Sequence, residues 1–336
     1  MRRCETLFLK KWKKTGVFLF LSLFMIPFPA LAYSEYLIPG GENIGIQIES
    51  KGIMVVGVYE VNGSYPATDA GFQIGDLILK VNQEKVNSID DMVQKISAQK
   101  ESKIAITYSR AGTMKTTNLS LYTDTNGVYK TGLYVKDSIT GLGTLSFIDP
   151  ETKLFGALGH EITEKNSGFM LEVKDGKIFD TSVTTIDRSE TGAPGSKNAE
   201  LYYDQVEGTI KENTKRGIFG TYTGELPNKK TYKVANPNDI KVGKATILTV
   251  LKNQEIKEYE INILKINKND KENKNILFEV TDPDLLEITG GVVQGMSGSS
   301  ILQGDYIIGA VTHVVIDNPK HGYGIFITKM LEEAEN

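Results

Sequence analysis

Cysteine and histidine are scarce in this chain of 336 residues. The single cysteine, Cys4, precedes the first long apolar run. The part of the chain beyond that run therefore has no disulfide and no thiol nucleophile. The chain has three histidines, and none belongs to a Cys/His cluster or to a His-Glu-x-x-His pattern. The sequence accordingly indicates no metal site, and we expect no cofactor.

Excess charge is also lacking. With 38 Lys and Arg against 42 Asp and Glu, the net charge is −4, and no stripe of basic residues stands out. We therefore expect no nucleic-acid partner. The 40% hydrophobic and 24% charged residues are typical of a globular protein, and the length favours two domains plus an appendage.

The appendage is predicted at residues 1–34. An uncharged run, Thr15–Ser34, has a strongly apolar centre and ends near the small-residue sequence Ala30-Leu31-Ala32. Six cations precede it: Arg2, Arg3, Lys10, Lys11, Lys13 and Lys14. This pattern predicts a secretory signal and hence export across the cytoplasmic membrane. The run is long enough to span a bilayer, so both cleavage and retention as a membrane anchor remain open.

The next segment, residues 36–122, predicts a small α+β domain. Two strands, Ile44–Glu49 and Ile53–Val61, are expected, separated by residues 50–52. Pro66–Asn82 then reads as a short helix, a Gly-Asp turn and a strand, and Ser88 is expected to cap a helix. This order is similar to the PDZ domains of bacterial proteases.

A PDZ domain binds an extended chain end by strand addition. We expect Gly52, Ile53 and Met54 to form the edge that receives such a peptide, which would come from another protein or from this chain. The alternative for these three residues is the interior of the sheet. Residues 123–129 are predicted to link this domain to the next.

Gln294–Leu302 contains the pattern Gly-x-Ser-Gly followed by a strand, which is typical of a serine nucleophile. Gly295 and Gly298 would allow a tight turn, and the N–H groups of Gly295 and Ser297 would form the oxyanion hole. A Gly/Ser-rich hairpin without catalytic function is the alternative.

The base should be one of the three histidines. His160 follows the apolar run Leu154–Gly159 and ranks first, which requires two subdomains that face each other across a cleft. His313 at the end of the strand after the nucleophile ranks second, and His321 in a polar loop ranks third. As ordinary structural alternatives, His160 and His313 would be hydrogen-bonded strand-end histidines.

A carboxylate is expected to orient the imidazole. Asp282 and Asp284 follow the strand-like run Ile276–Val280 and precede the serine by a short helix and a turn. The alternative, which the residues alone favour, is that Asp282 only caps that helix, with Pro283 at its first position.

These blocks together resemble the stage IV sporulation protein B peptidases, which are membrane-associated serine peptidases of endospore-forming bacteria with a PDZ domain. The resemblance rests on Phe155–His160, Ile276–Asp282, Glu287–Ser299, Ile308–His313 and Gly322–Gly324. It implies His160 as base, Asp282 as its orienting group and Ser297 as nucleophile. Ser300 stands where relatives usually carry proline.

Short strands with glycine-rich turns predict a chymotrypsin-like antiparallel β-barrel domain at residues 130–336. The expected fold class is mainly β with a few short helices, and the expected activity is that of a serine endopeptidase. The resemblance implies a protein substrate in a membrane complex, self-cleavage near the N-terminus and a signalling role between forespore and mother cell. The alternative function is an inactive PDZ adaptor whose protease-like domain only binds.

Overall fold

The computed structural model describes residues 34–335, and most of its regular structure is strand. The strands are β1 (Tyr36–Pro39), β2 (Asn43–Val58), β3 (Leu77–Val81), β4 (Glu84–Lys85), β5 (Lys103–Arg110), β6 (Thr113–Ser120), β7 (Tyr122–Thr123), β8 (Tyr129–Lys130), β9 (Leu133–Ile148), β10 (Leu154–Ala157), β11 (Val173–Asp187), β12 (Ser196–Thr214), β13 (Gly217–Tyr222), β14 (Tyr232–Val234), β15 (Gly243–Val250), β16 (Ile256–Ile266), β17 (Ile276–Val280), β18 (Ser300–Gln303), β19 (Tyr306–Val314) and β20 (His321–Phe326). The helices are α1 (Pro66–Asp69), α2 (Ile89–Ser97), α3 (Pro283–Thr289) and α4 (Ile327–Ala334).

The PDZ-like half is built from β3, β5 and β6 with helices α1 and α2. As expected, the Ser88 hydroxyl caps α2 by accepting a hydrogen bond from the Asp91 N–H at 3.2 Å. The helix packs its apolar side, Met92 and Ile96, into a core shared with Ile53 and Ile104. Burial of these side chains against the sheet stabilises a helix that is too short to persist alone.

Two closed antiparallel barrels form the rest of the molecule. In the first, β9, β10, β13, β12, β11 and β2 follow one another around the ring, and β2 pairs with β9 to close it. In the second, β19, β18, β15, β16, β17 and β20 do the same. Alternate apolar residues fill each interior, such as Phe155 and Ile178 in the first and Phe278 and Met296 in the second. The predicted fold class, mainly β with a few short helices and an antiparallel barrel architecture after a small α+β domain, is confirmed.

Strands β2 and β9 belong to both halves of the molecule. Residues 43–49 of β2 pair with residues 138–144 of β9 in the first barrel, and residues 54–58 pair with residues 133–136 beside the PDZ-like sheet. β1 also pairs with the barrel strand β9 and with β14. Residues 36–49, which were assigned to the PDZ domain from the sequence, therefore hydrogen-bond to strands of the barrel half.

The break expected between two strands at residues 50–52 is absent, because β2 continues through these residues. Gly52 lies against β3, where a Cβ atom would come within 2.7 Å of the Ile78 carbonyl oxygen. Close approach of two strands, rather than a turn, thus requires glycine here. Ile53 and Met54 pair with Ile78 and Leu77, and Met54 also pairs with β9. The sheet interior, and not a free peptide-binding edge, is therefore where the structure places these residues.

The expected linker, residues 123–129, contains a small hairpin. β7 pairs with β8, and the Asp124 side chain accepts hydrogen bonds from the N–H groups of Asn126 and Val128. The predicted signal or anchor lies outside the described residues except for Ser34. Among residues 34–335 no helix is long and apolar enough to cross a bilayer.

Candidate active site

An open cleft of about 890 Å³ lies between the two barrels. The first barrel contributes His160, and the second contributes Gly295, Ser297 and His313. The expectation that two subdomains face each other across a cleft is thus met by the structure. Aliphatic side chains make up much of the remaining wall.

Ser297 lies on a tight turn just before β18. Gly298 has φ +101°, and a Cβ atom there would lie 1.9 Å from the Thr144 carbonyl oxygen of the first barrel. Only glycine allows so close an approach of the two backbones. The Thr144 N–H also donates to the Ser297 carbonyl oxygen at 3.0 Å. The Ser297 hydroxyl donates to the Thr312 carbonyl oxygen at 2.8 Å, and within residues 34–335 no hydrogen bond joins it to an imidazole.

Two amides of this turn are free. The N–H groups of Met296, Gly298 and Ser299 donate to backbone carbonyls, whereas those of Gly295 and Ser297 donate to no group of the described chain. The carbonyls that precede these two amides, those of Gln294 and Met296, accept hydrogen bonds from Lys197 and Ser299. Because the peptides are trans, each free N–H points away from its anchored carbonyl. The arrangement suits an oxyanion.

His160 is placed by a strained turn at the end of β10. Leu158 and Gly159 have φ +72° and +73°, and a bulky residue rarely adopts this conformation. His160 Nδ1 lies 2.8 Å from the carbonyl oxygen of Glu161. We assign the proton to Nδ1 on the basis of this contact, which leaves Nε2 free to accept a proton.

His313, on β19, lies beside His160, with 5.4 Å between the ring centroids. Burial against the cleft wall, repulsion from His160 and repulsion from Lys274 lower the pKa of His313 to about 4, and Glu161 opposes the shift. More than a third of the residue is nevertheless exposed, so solvent weakens these effects. The downward shift of this pKa keeps His313 neutral at neutral pH. His321 does not line the cleft, and its Nε2 lies 3.9 Å from Glu279.

The structure does not bring Asp282 to this cleft. Asp282 is the N-cap of α3, where Oδ1 accepts from the Leu285 N–H at 3.0 Å and Oδ2 from the Glu260 N–H at 3.2 Å. The residue sits on the β16 side of β17, and β20 separates β17 from the strand that carries His313. Asp282 therefore has the position of a helix cap, which was the alternative expected from the sequence. Of the described residues that line the cleft, Glu161 is the one carboxylate.

Other features at this site carried no catalytic assignment from the sequence. Pro194 lines the cleft, and the Gly195 carbonyl accepts a hydrogen bond from the Gln294 N–H at 2.8 Å. Lys197, which packs against Gly295, was not singled out, because lysine in a strand is usually solvated. Among residues 34–335 no group of three or more His, Cys, Asp or Glu residues could hold a metal ion.

Comparison with known proteins assigns both halves of the chain. The SpoIVB peptidase S55 family model matches residues 127–331, more than half of the chain, and the PDZ domain model matches residues 43–121. The chain belongs to the SpoIVB peptidase S55 family. It is therefore a serine peptidase with a PDZ domain.

Solved structures give weaker likenesses. The PDZ domain of an SdrC-like protein from Listeria monocytogenes is 22% identical, with coverage of 26% of this chain and 90% of that one and a TM-score of 0.23. The inactive form of the Rv3671c protease is 11% identical, with coverage of 58% and 85% and a TM-score of 0.33. An inactive mutant of Rv3671c from M. tuberculosis H37Rv is 10% identical, with coverage of 58% and 82% and a TM-score of 0.30. No curated protein matches the chain.

Proposed function

We propose that this protein is an exported or membrane-anchored serine endopeptidase that cleaves a protein partner, and its own N-terminal region, as a proteolytic signal during sporulation. The observation that carries the proposal is the presence of Ser297, His160 and two free amides in one cleft. The family supports the link to sporulation, and the predicted signal at residues 1–34 supports export. By resemblance, the location would be the space between the forespore and mother-cell membranes.

In the proposed mechanism the Ser297 hydroxyl leaves the Thr312 carbonyl and attacks the scissile carbonyl carbon. His160 Nε2 takes the hydroxyl proton, while the N–H groups of Gly295 and Ser297 stabilise the oxyanion. His160 then gives the proton to the leaving amine, and water hydrolyses the acyl-enzyme in the same way. The Glu161 carbonyl keeps Nδ1 protonated. In this scheme Asp282 supports α3 and does not contact the imidazole.

The cleft favours an extended peptide with apolar side chains. Leu142, Val292 and Val314 are among the aliphatic residues that line it. Lys165 adds positive charge, whereas the charge of Lys136 is paired with Glu164. The PDZ domain would hold another part of the substrate chain. A membrane-complex component would meet the enzyme at the membrane, where residues 1–34 would keep it.

The full chain in detergent micelles tests the proposal. Wild type should shorten itself near the N-terminus and cleave an unfolded protein substrate, and mass spectrometry should find neither product with Ser297→Ala. Ser299→Ala is the matched control, since Ser299 is fully buried two residues away. Absence of both products from wild type would favour the adaptor function, to which the Ser297–Thr312 hydrogen bond also points. The same products from Ser297→Ala as from wild type would contradict the assignment of Ser297 as the nucleophile.

A further inference from the structure

Lys197 is a buried lysine beneath the nucleophile turn. The residue is 5% exposed, and its Nζ donates to Asn43 Oδ1 at 2.9 Å and to Thr249 Oγ1 at 2.8 Å. Neither partner is charged, and both are buried. An ammonium group is rarely buried without a carboxylate, since desolvation disfavours its charged form. Contact with solvent, which accounts for most lysine positions, therefore does not explain why Lys197 lies here.

The two partners of Nζ belong to different barrels. Asn43 lies on β2 of the first barrel, and Thr249 lies on β15 of the second. Lys197 itself is on β12 of the first barrel. One side chain thus connects the barrel that carries His160 to the barrel that carries Ser297.

Lys197 is linked to the oxyanion turn by its side chain, by its backbone and through Asn43. Its methylene stem packs under Gly295, where an added Cβ would come within 3.2 Å of the Lys197 Cβ. Its backbone N–H donates to the Gln294 carbonyl at 2.9 Å, which orients the peptide that carries the Gly295 amide. Finally, Asn43 Nδ2, fixed by the bond from Nζ to Oδ1, donates to the Gly143 carbonyl at 3.2 Å and to the Gly295 carbonyl at 3.4 Å.

We propose that Lys197 is a positioning residue that acts through Asn43 to hold the oxyanion turn and the two barrels in the reactive arrangement. The inference rests on the proposed function, since it assumes that Gly295 and Ser297 form the oxyanion hole. Lys197 does not line the cleft, so it touches no substrate.

The chemistry of the amine fits this role. Burial lowers the pKa of Lys197 to about 7. A neutral amine has two N–H donors, which match the two acceptors Asn43 Oδ1 and Thr249 Oγ1. The Asn43 amide is then held in one orientation, because its oxygen faces the amine and its nitrogen faces two carbonyls.

Lys197→Met in the full chain tests the proposal, because it keeps the stem and removes Nζ. Lys211→Met on the same strand is the matched control, since Lys211 is exposed. Turnover is measured per active serine, counted with a serine-directed phosphonylating reagent. We expect kcat to fall about 10- to 100-fold, less than the loss for deleting one oxyanion donor, with KM nearly unchanged. A peptide boronic acid forms an adduct with Ser297 that places an oxygen in the oxyanion hole. Its affinity for Lys197→Met should fall in parallel with kcat.

Asn43→Asp gives an independent measurement if Lys197→Met does not fold. It keeps an acceptor for Nζ and removes one of the two side-chain donors to the Gly295 carbonyl, the other being the Thr144 hydroxyl at 2.6 Å. It also places a carboxylate oxygen against the Gly143 and Gly295 carbonyls, so kcat should fall while the folded state persists. Unchanged kcat per active serine in Lys197→Met or in folded Asn43→Asp would overturn the positioning role, as would an equal loss in Lys211→Met. Absence of Ser297-dependent cleavage in wild type would instead contradict the proposed function itself.

Discussion

The imidazole rings of His160 and His313 lie 5.4 Å apart in the same cleft, one on each barrel. His160 has its Nδ1 on a backbone carbonyl, which leaves Nε2 available, whereas His313 is held toward its neutral form by burial and by its neighbours. The two histidines are therefore not equivalent, although the sequence alone offered both as the base.

Replacing each histidine with alanine should separate their roles. His160→Ala should lower kcat by several orders of magnitude, close to the effect of Ser297→Ala, because nucleophile and base act as a unit. His313→Ala should retain turnover and mainly change KM. Steady-state kinetics on one peptide substrate checks both variants. If His313→Ala had no activity and His160→Ala remained active, the base would be His313 instead of His160.

The lowered pKa of His313 predicts a dependence of stability on pH. The unfolded chain binds a proton near pH 6.5, while the folded chain resists protonation until about pH 4. The unfolded state thus binds more protons in this window, so stability should fall as pH drops from about 6.5 toward 4. Thermal denaturation should show that the stability of His313→Gln falls less over this pH range than that of wild type. Equal falls in both proteins would mean that the exposed part of the ring is fully solvated.

The sequence predicted the strands and the residues of the turn but not how the strands close. Apolar runs place Phe155 and Phe278 in β-structure, and Gly298 follows from the need for a tight turn. Which strand lies beside which depends on contacts distant in sequence, such as β2 with β9 and β11. The expected break at residues 50–52 was wrong for this reason, because the sequence does not show that Gly52 lies against a neighbouring strand.

The nucleophile turn gives a sharp steric prediction. An alanine Cβ at position 298 would lie 1.9 Å from the Thr144 carbonyl oxygen, and the positive φ adds strain. Gly298→Ala should therefore lower the melting temperature and abolish turnover. Gly141→Ala is the control for stability, since nothing lies within 4 Å of its added Cβ and its φ is ordinary. A Gly298→Ala protein as stable as wild type would show that the barrels separate easily here.

Lys197 and Asp282 mark the limit of what the residues alone could predict. An isolated lysine in a long strand carries no local sign of burial, so its contacts with Asn43 and Thr249 emerge only from the folded barrels. Asp-Pro before a helix favours a cap from the residues alone, and the family resemblance implied that the same carboxylate orients the imidazole. The order of β16, β17 and β20 decides between the two, and that order is a tertiary property.

Asp282→Asn separates the cap from the orienting role. Both carboxylate oxygens accept backbone hydrogen bonds, from Leu285 and from Glu260, and asparagine keeps only one acceptor. Because asparagine is a good N-cap, the loss of stability should be about 1 kcal/mol and kcat should stay near the wild-type value. Thermal denaturation and steady-state kinetics are measured side by side, with Asp284→Asn as the control one residue into the helix. If Asp282 oriented the imidazole, the same change would instead lower kcat by about 10⁴ at an unchanged melting temperature. That outcome would require α3 to move toward His160 when substrate binds, because both carboxylate oxygens would first have to release their backbone partners.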